Sequence, residues 1–187
     1  MILFIAQVFV LLFGVQQAAV QPAVSPADEP TSAILAPYLP TPDTIVERML
    51  RLGHLKAGEK MCDLGSGDGR IVIAAAREYH AIATGIELDD TLFRDSVERI
   101  RKLDLFATAR IIHGDILKQR YSSYDLITVY MLPETNDLMQ PILEREMKRG
   151  ARVVAHDFEF RHWRPTQIET IEDDGTGRSH TLFLYER

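Results

Sequence analysis

The sequence predicts an α/β domain built on a mostly parallel sheet. Three observations carry this. From residue 44 onward, short apolar segments of strand length alternate with longer segments of helical period, the order that βαβ units produce. A glycine-rich turn, Gly65-Ser-Gly-Asp-Gly69, joins one strand to the following helix. A second turn, Asp173-Asp-Gly-Thr-Gly177, makes a hairpin of the last two strands and puts an antiparallel strand at or near one sheet edge.

Residues 44–52 place apolar side chains at helical spacing, and Gly53 is a stop signal. Residues 60–64 form a short strand that runs into the glycine-rich turn. Residues 70–79 are an alanine-rich helix, and 81–87 a strand. Residues 90–103 are a helix with Phe93, Val97 and Ile100 on one face. Strands are expected at 109–113 and 124–130. Residues 134–147 are helical, with a break expected at Pro141, because an interior proline loses a hydrogen bond and clashes with the preceding turn. A strand at 151–157 and the hairpin strands 167–172 and 181–185 complete the series.

The chain has 187 residues, enough for one domain. Apolar residues make up 46 % and charged residues 26 %, the balance of a folded domain rather than a disordered chain. Net charge is −6, which argues against a general nucleic-acid binder. Cys62 is the only cysteine, so an internal disulfide and a multi-cysteine zinc site are both excluded. His54, His80, His113, His156, His162 and His180 show no paired ligand spacing, and no metal site is expected. A serine hydrolase is not expected either, since Ser66 lies one residue out of register for Gly-x-Ser-x-Gly.

The first charged side chain is Asp28. Residues 1–20 form a hydrophobic leader. Its first fifteen residues span about 22 Å as a helix, short of a roughly 30 Å hydrocarbon core, and twenty residues reach about 30 Å. The leader reads as an uncleaved membrane anchor. The alternatives are a signal peptide, although no Lys or Arg precedes the apolar run and no clean Ala-x-Ala site follows it, and a mis-assigned start or amphipathic segment. Residues 21–36, with Pro22, Pro26 and Pro30, read as an extended linker. The folded domain is expected at 37–187.

Asp63-Leu-Gly-Ser-Gly-Asp-Gly69 holds the strongest chemical signal. Glycine allows positive φ and a close approach of backbone to ligand. The helix that follows offers free N–H groups. Asp63 ends the first strand, Glu87 ends the second, and Asp115 follows the third. Three carboxylates at consecutive strand ends make an acidic rim. Phosphate would be repelled there. A ligand with a cationic end, a ribose diol and a base amino group would be favoured, and S-adenosylmethionine has all three.

Asp63-Leu-Gly-Ser-Gly-Asp-Gly-Arg70, Gly85-Ile-Glu-Leu-Asp89 and His113-Gly-Asp115 resemble the motifs of class I S-adenosylmethionine-dependent methyltransferases. Pro37-Tyr-Leu-Pro-Thr-Pro42, Thr128-Val-Tyr-Met-Leu-Pro-Glu134, Arg152-Val-Val-Ala-His-Asp157 and Trp163-Arg-Pro165 narrow the resemblance to the small protein-lysine methyltransferases of archaea and of the mitochondrial inner membrane. The resemblance implies a Rossmann-like fold: a mostly parallel seven-stranded sheet with an antiparallel C-terminal strand. It implies that Gly65, Ser66, Gly67 and Gly69 line the methionine part of the cofactor and that Asp63 meets its amino group. Glu87 would accept from the ribose hydroxyls, and Asp115 with Ile116 would face the adenine. Tyr130 would border the methyl group and the nucleophile. Tyr38 and Thr41 would close over the cofactor. The strand end carries Tyr130-Met-Leu-Pro133 where many amine methyltransferases carry Asn/Asp-Pro-Pro-Tyr/Phe.

The activity implied is methyl transfer to a protein lysine, with the chain tethered to a membrane and its domain on the cytoplasmic side. A small-molecule or lipid methyltransferase is the second reading, and a non-catalytic nucleoside-binding module at a membrane is the third. Tyr38, Tyr130 and Trp163 are the aromatic candidates for a slot around the lysine. Glu134, His156 and Asp157 are the candidate bases or substrate anchors. Glu134 also fits a plain helix start, where negative charge is favourable, and His156 a hydrogen-bonded structural role.

Overall fold

The fold is that of a computed structural model, which describes residues 39–187. The leader, the linker and Tyr38 lie outside the described residues. The elements are α1 (Asp43–Leu52), β1 (Lys60–Leu64), α2 (Arg70–Tyr79), β2 (Ile82–Glu87), α3 (Asp90–Lys102), β3 (Ala109–His113), β4 (Leu126–Val129), α4 (Pro133–Glu146), β5 (Arg152–His156), β6 (Gln167–Ile171) and β7 (His180–Glu186). A single 3-10 turn, Ile116–Lys118, follows β3. The seven strands form one sheet in the order β3-β2-β1-β4-β5-β7-β6. All neighbours run parallel except β7, which is antiparallel to both β5 and β6.

Strand alternation splits the core between two faces. Met61, Ala83 and Leu126 join the inner faces of α1 and α2 on one side. Cys62, Leu64, Ile127 and Val153 join Met139 and Leu143 of α4 on the other. The central strands are buried on both faces, which is why they read as continuous apolar runs.

One expectation is corrected. Pro141 does not break α4, which runs through it. Pro141 sits on the exposed face, so its ring costs the helix one backbone hydrogen bond without displacing a buried side chain. In α3 the buried residues are Ser96 and Ile100, while Val97 is 39 % exposed. The small Ser96 side chain lets α3 approach the glycine-rich turn. A Cβ on Gly69 would lie 3.1 Å from Ser96 Cβ.

Going along the chain, the sheet is built outward from β1 to β3 and then resumes on the other side of β1 with β4. The switch point therefore lies between β1 and β4, at their carboxyl ends, where ligands bind in such sheets.

Candidate active site

A cavity of about 420 Å³ opens at that switch point. Nine predicted site residues line it: Thr41, Asp63, Gly65, Ser66, Gly67, Glu87, Asp115, Ile116 and Tyr130.

The glycine-rich turn is held from β2. The Ser66 N–H donates to the Ile86 carbonyl at 2.9 Å, and the Gly67 N–H donates to Glu87 Oε2 at 2.7 Å. Glu87 Oε1 accepts from the N–H groups of Leu88 and Asp89, each at 2.8 Å. Gly65 has φ +67°, and a Cβ there would meet Met131 Cε at 2.0 Å. Gly85, in mid-β2, clears room for Ser66, since a Cβ there would lie 2.4 Å from Ser66 Oγ. Gly69 does not line the cavity. It holds φ +77° at the start of α2 and packs against α3.

Asp63 is buried at the end of β1, and register places Thr128 beside it. Thr128 Oγ1 donates to Asp63 Oδ1 at 2.7 Å. Burial pushes the Asp63 carboxyl up to about 7, partly offset by the Thr128 hydrogen bond and reinforced by the charges of Glu87 and Asp68. Asp68 is the opposite case. Although burial pushes its carboxyl upward, hydrogen bonds from Arg70 and the charges of Arg70 and Arg99 hold it below the usual range. Asp115 Oδ1 accepts from the Leu117 N–H at 2.8 Å and so starts the 3-10 turn. That turn sets Ile116 against the cavity.

The segment before α1 is strapped to the turn. Arg70 makes a forked contact with Asp68 at 3.0 and 2.9 Å, and its Nη1 donates to the Thr41 carbonyl at 2.8 Å. Sequence reasoning missed this role of Arg70, although the residue directly follows Gly69. Leu39 and Pro40 also line the cavity.

Tyr130, just past β4, donates its hydroxyl to Asp157 Oδ2 at 3.2 Å. Burial and then the Asp157 charge push its phenol up to about 12. The ring lies 3.9 Å from the His156 ring and 6.2 Å from that of Phe158, both measured between centroids. His156 is fully buried, and burial lowers its imidazole to about 4. Its Nδ1 is 3.3 Å from Thr41 Oγ1, and its Nε2 is 2.9 Å from His180 Nδ1.

Two candidates fall elsewhere. Trp163 packs on Phe160 and Tyr185 in the core, at 5.3 and 5.6 Å between centroids. Phe158, which lines the cavity, takes the aromatic place beside Tyr130. Glu134 lies in the first turn of α4 with its side chain 75 % exposed, 3.8 Å from Arg161, and outside the cavity lining.

S-adenosylmethionine fits these residues. Ser66 Oγ is buried with no hydrogen-bond partner among the described residues, a cost that a ligand's polar group can remove. At Gly65 the place of a side chain is taken by Met131 Cε, and the Asp63, Glu87 and Asp115 carboxylates line the cavity from three strand ends, acceptors of the kind that an ammonium, a diol and an amino group need.

Comparison with known proteins agrees with this geometry. Residues 63–167 match the family described as the ANTKMT methyltransferase domain. A protein-lysine N-methyltransferase of Saccharolobus islandicus is 37 % identical over 150 residues, which cover 80 % of this chain and 92 % of that protein. The adenine nucleotide translocase lysine N-methyltransferase of Mus musculus is 32 % identical over 144 residues, covering 76 % of this chain and 60 % of that one. A Salinibacter ruber structure described as an RNA methyltransferase with S-adenosyl-L-homocysteine superposes with a TM-score of 0.73 at 34 % identity, covering 79 % of this chain and 93 % of that one. The chain belongs to the ANTKMT methyltransferase domain family and is an S-adenosylmethionine-dependent methyltransferase of the class I fold.

Proposed function

We propose that the protein methylates the ε-amino group of a lysine in a protein substrate. The observation that carries this is the aromatic and apolar part of the cavity wall. Tyr130 and Phe158 stand nearly parallel there, beside apolar Leu39, Met131 and Leu132. Such a slot suits an alkyl stem that ends in an amine and has few groups to read a polar base edge. The relatives described as lysine N-methyltransferases support the same substrate class.

In this reading Gly65, Ser66 and Gly67 line the methionine part of the cofactor and Asp63 takes its ammonium. Glu87 accepts from the ribose, and Asp115 and Ile116 face the adenine. Tyr38 and Thr41 cover the cofactor from the N-terminal side. When bound, S-adenosylmethionine supplies an electrophilic methyl group, which passes to the lysine nitrogen as the carbon–sulfur bond pair returns to sulfur.

The nucleophile must be neutral. With an ordinary pKa near 10.4, removing the lysine proton costs about 4–5 kcal/mol at pH 7. A dry aromatic slot lowers that cost by disfavouring the charged form. Tyr130 shapes the slot and does not remove the proton, because its phenol is held protonated and donates to Asp157. Positioning is the main contribution of the protein.

We further propose that residues 1–20 tether the chain to a membrane with the domain on the cytoplasmic side, where the methyl donor is made. Among the described residues no helix is long and apolar enough to cross a membrane, so this reading rests on the leader. External protease that digests the domain on intact cells would refute it.

The test uses the full chain, methyl-tritiated S-adenosylmethionine and a lysate of the source cells, with Gly67→Arg as control. Label in a protein band, resistant to ribonuclease and yielding methyllysine on hydrolysis, is expected. Label in RNA, as the description of the Salinibacter protein suggests, or in the lipid or small-molecule fraction would overturn the lysine assignment.

A further inference from the structure

Behind Tyr130 three ligand-type atoms converge. His156 Nε2 and His180 Nδ1 are 2.9 Å apart, His180 Nδ1 and Asp157 Oδ2 are 3.1 Å apart, and His156 Nε2 and Asp157 Oδ2 are 3.4 Å apart. The triangle forms because β5 and β7 pair antiparallel, which brings the ends holding His156 and His180 together. The two imidazoles are buried, and the Asp157 side chain is 23 % exposed.

One hydrogen atom serves such a triangle poorly. A proton on His180 Nδ1 lies toward His156 or toward Asp157, and the remaining pair then faces lone pair to lone pair. The outer nitrogens make this sharper. His180 Nε2 lies 3.3 Å from the Asp174 carboxylate, which only accepts, so its proton belongs there. The neutral imidazole then turns the Nδ1 lone pair into the triangle. The Thr41 hydroxyl, 3.3 Å from His156 Nδ1, can donate or accept; where it accepts, the His156 Nε2 lone pair turns inward as well. In that state two imidazole nitrogens and Asp157 Oδ2, which also accepts from the Tyr130 hydroxyl at 3.2 Å, lie within 3.4 Å of one another, a ligand set that a single cation can take.

The spacing suits a transition metal. Bonds of about 2.1 Å at tetrahedral or octahedral angles separate neighbouring ligands by roughly 3.0–3.4 Å. The supporting contacts are also those of a metal centre, where ligating histidines anchor their second nitrogen on a carboxylate or hydroxyl. Asp157 is anchored too. Its Oδ1 accepts from the Thr181 N–H at 2.9 Å, and its backbone holds φ +58°.

We propose that His156, Asp157 and His180 form a binding site for a divalent transition-metal ion of the zinc class, with Asp174 and Thr41 as its supporting shell. The site lies outside the cofactor cavity and needs no assumption about the methylated substrate. Its reach is structural. It joins β5 to β7 and grips Thr41 and Tyr130, two residues of the cavity wall. Two imidazoles and one carboxylate match zinc and its neighbours rather than calcium or magnesium, which take all-oxygen shells.

The probe is Zn²⁺ alone, added to full-length protein without a histidine tag after chelator treatment. Expected results are one tightly held zinc per chain by elemental analysis, a raised melting temperature with zinc, and its reversal by chelator. His180→Gln and Asp157→Asn lose the stoichiometric zinc, and Asp174→Asn weakens binding about 10- to 100-fold. Cobalt taken up by the unmodified protein gives the visible bands of a low-coordinate histidine site, a readout that needs no variant to fold. The proposal is overturned if the unmodified protein takes up no stoichiometric zinc and its melting ignores zinc and chelator, or if uptake persists in both variants. Calorimetry with S-adenosylmethionine, run in parallel, reports the cofactor site separately.

Discussion

The Gly67 N–H and the Glu87 carboxylate meet at 2.7 Å across the carboxyl ends of β1 and β2. One oxygen of Glu87 thus pins the glycine-rich turn while the other takes the N–H groups of Leu88 and Asp89. The same side chain shapes the glycine-rich turn and, in the proposed reading, offers the ribose an acceptor.

Glu87→Gln separates those duties from simple loss of charge. An amide presents one oxygen and one N–H₂ to donors on both sides, so at least one backbone N–H loses its acceptor. The expected stability loss is about 1–3 kcal/mol, a fall in Tm of roughly 2–4 °C per kcal/mol. Affinity for S-adenosylmethionine falls roughly 10- to 150-fold, the worth of a hydrogen bond to a charged group. Melting curves and calorimetry on the same preparation check both. An unchanged Kd would remove Glu87 from the ribose site.

Cofactor binding should depend on pH through Asp63. Its carboxyl titrates at about 7 in the free protein, chiefly because it is buried. An ammonium ligand needs the ionised form, so affinity rises as pH passes upward through 7. Between pH 6 and pH 7.5 the gain is about eightfold for a single group of that pKa. Asp63→Asn binds more weakly and loses this dependence. The stability sign is opposite. The folded pKa lies above the unfolded value of 3.8, so folding favours the protonated acid. The contribution of Asp63 is most favourable at low pH, declines from about pH 4 to pH 7 and is then constant. A Kd that is flat from pH 6 to 7.5 would refute the ammonium role.

Tyr130 should act through its ring. Tyr130→Phe removes the hydroxyl bond to Asp157 but keeps the face that lines the cavity. S-adenosylmethionine affinity is expected to stay within about threefold, and the pH–rate profile to keep its basic limb, because the phenol is held at about 12. Tyr130→Ala opens the slot and lets the amine wander. A misplacement on the order of 1 Å costs about 100-fold in rate, so kcat falls much more than affinity. A Tyr130→Phe variant as impaired as Tyr130→Ala would point instead to the hydroxyl.

The sequence carried the parallel half of the site well, because each residue there sits at the end of a short apolar strand and the strands lie side by side. Asp63, Glu87 and Asp115 need only chain order and strand direction to converge. The rest depends on pairings that local pattern does not reveal. His180 reaches His156 through the register of β7 on β5, after a long connection. Trp163 and Phe158 lie five residues apart in an irregular segment, and only packing decides that Phe158 faces the cavity while Trp163 joins Phe160 and Tyr185. Glu134 carried two readings, and its exposure at the start of α4 matches the helix-start one.

Gly85 offers a test of packing that leaves every polar group in place. It sits mid-strand in β2, paired with Asp63 of β1, and a Cβ there would lie 2.4 and 2.6 Å from Ser66 Oγ and Cβ and 2.7 Å from Ile111 Cδ1. Ser66 is short and its backbone is tied to Ile86, so it has little room to yield. Gly65 makes a contrast. A Cβ there meets only the flexible end of Met131, and its φ of +67° is the main obstacle, worth about 1–2 kcal/mol. Gly85→Ala is expected to cost about 1–3 kcal/mol through overpacking and to push Ser66 toward the methionine part of the site. Gly65→Ala should cost similar stability by strain while driving Met131 into the cavity. Both lower S-adenosylmethionine affinity, but only Gly85→Ala should be relieved by a second change, Ser66→Gly, which removes two of the three opposing atoms and leaves only the flexible end of Ile111 to turn aside. Melting of the single and double variants decides this: if Ser66→Gly does not restore stability to Gly85→Ala, the contact between these two residues is not what keeps position 85 a glycine.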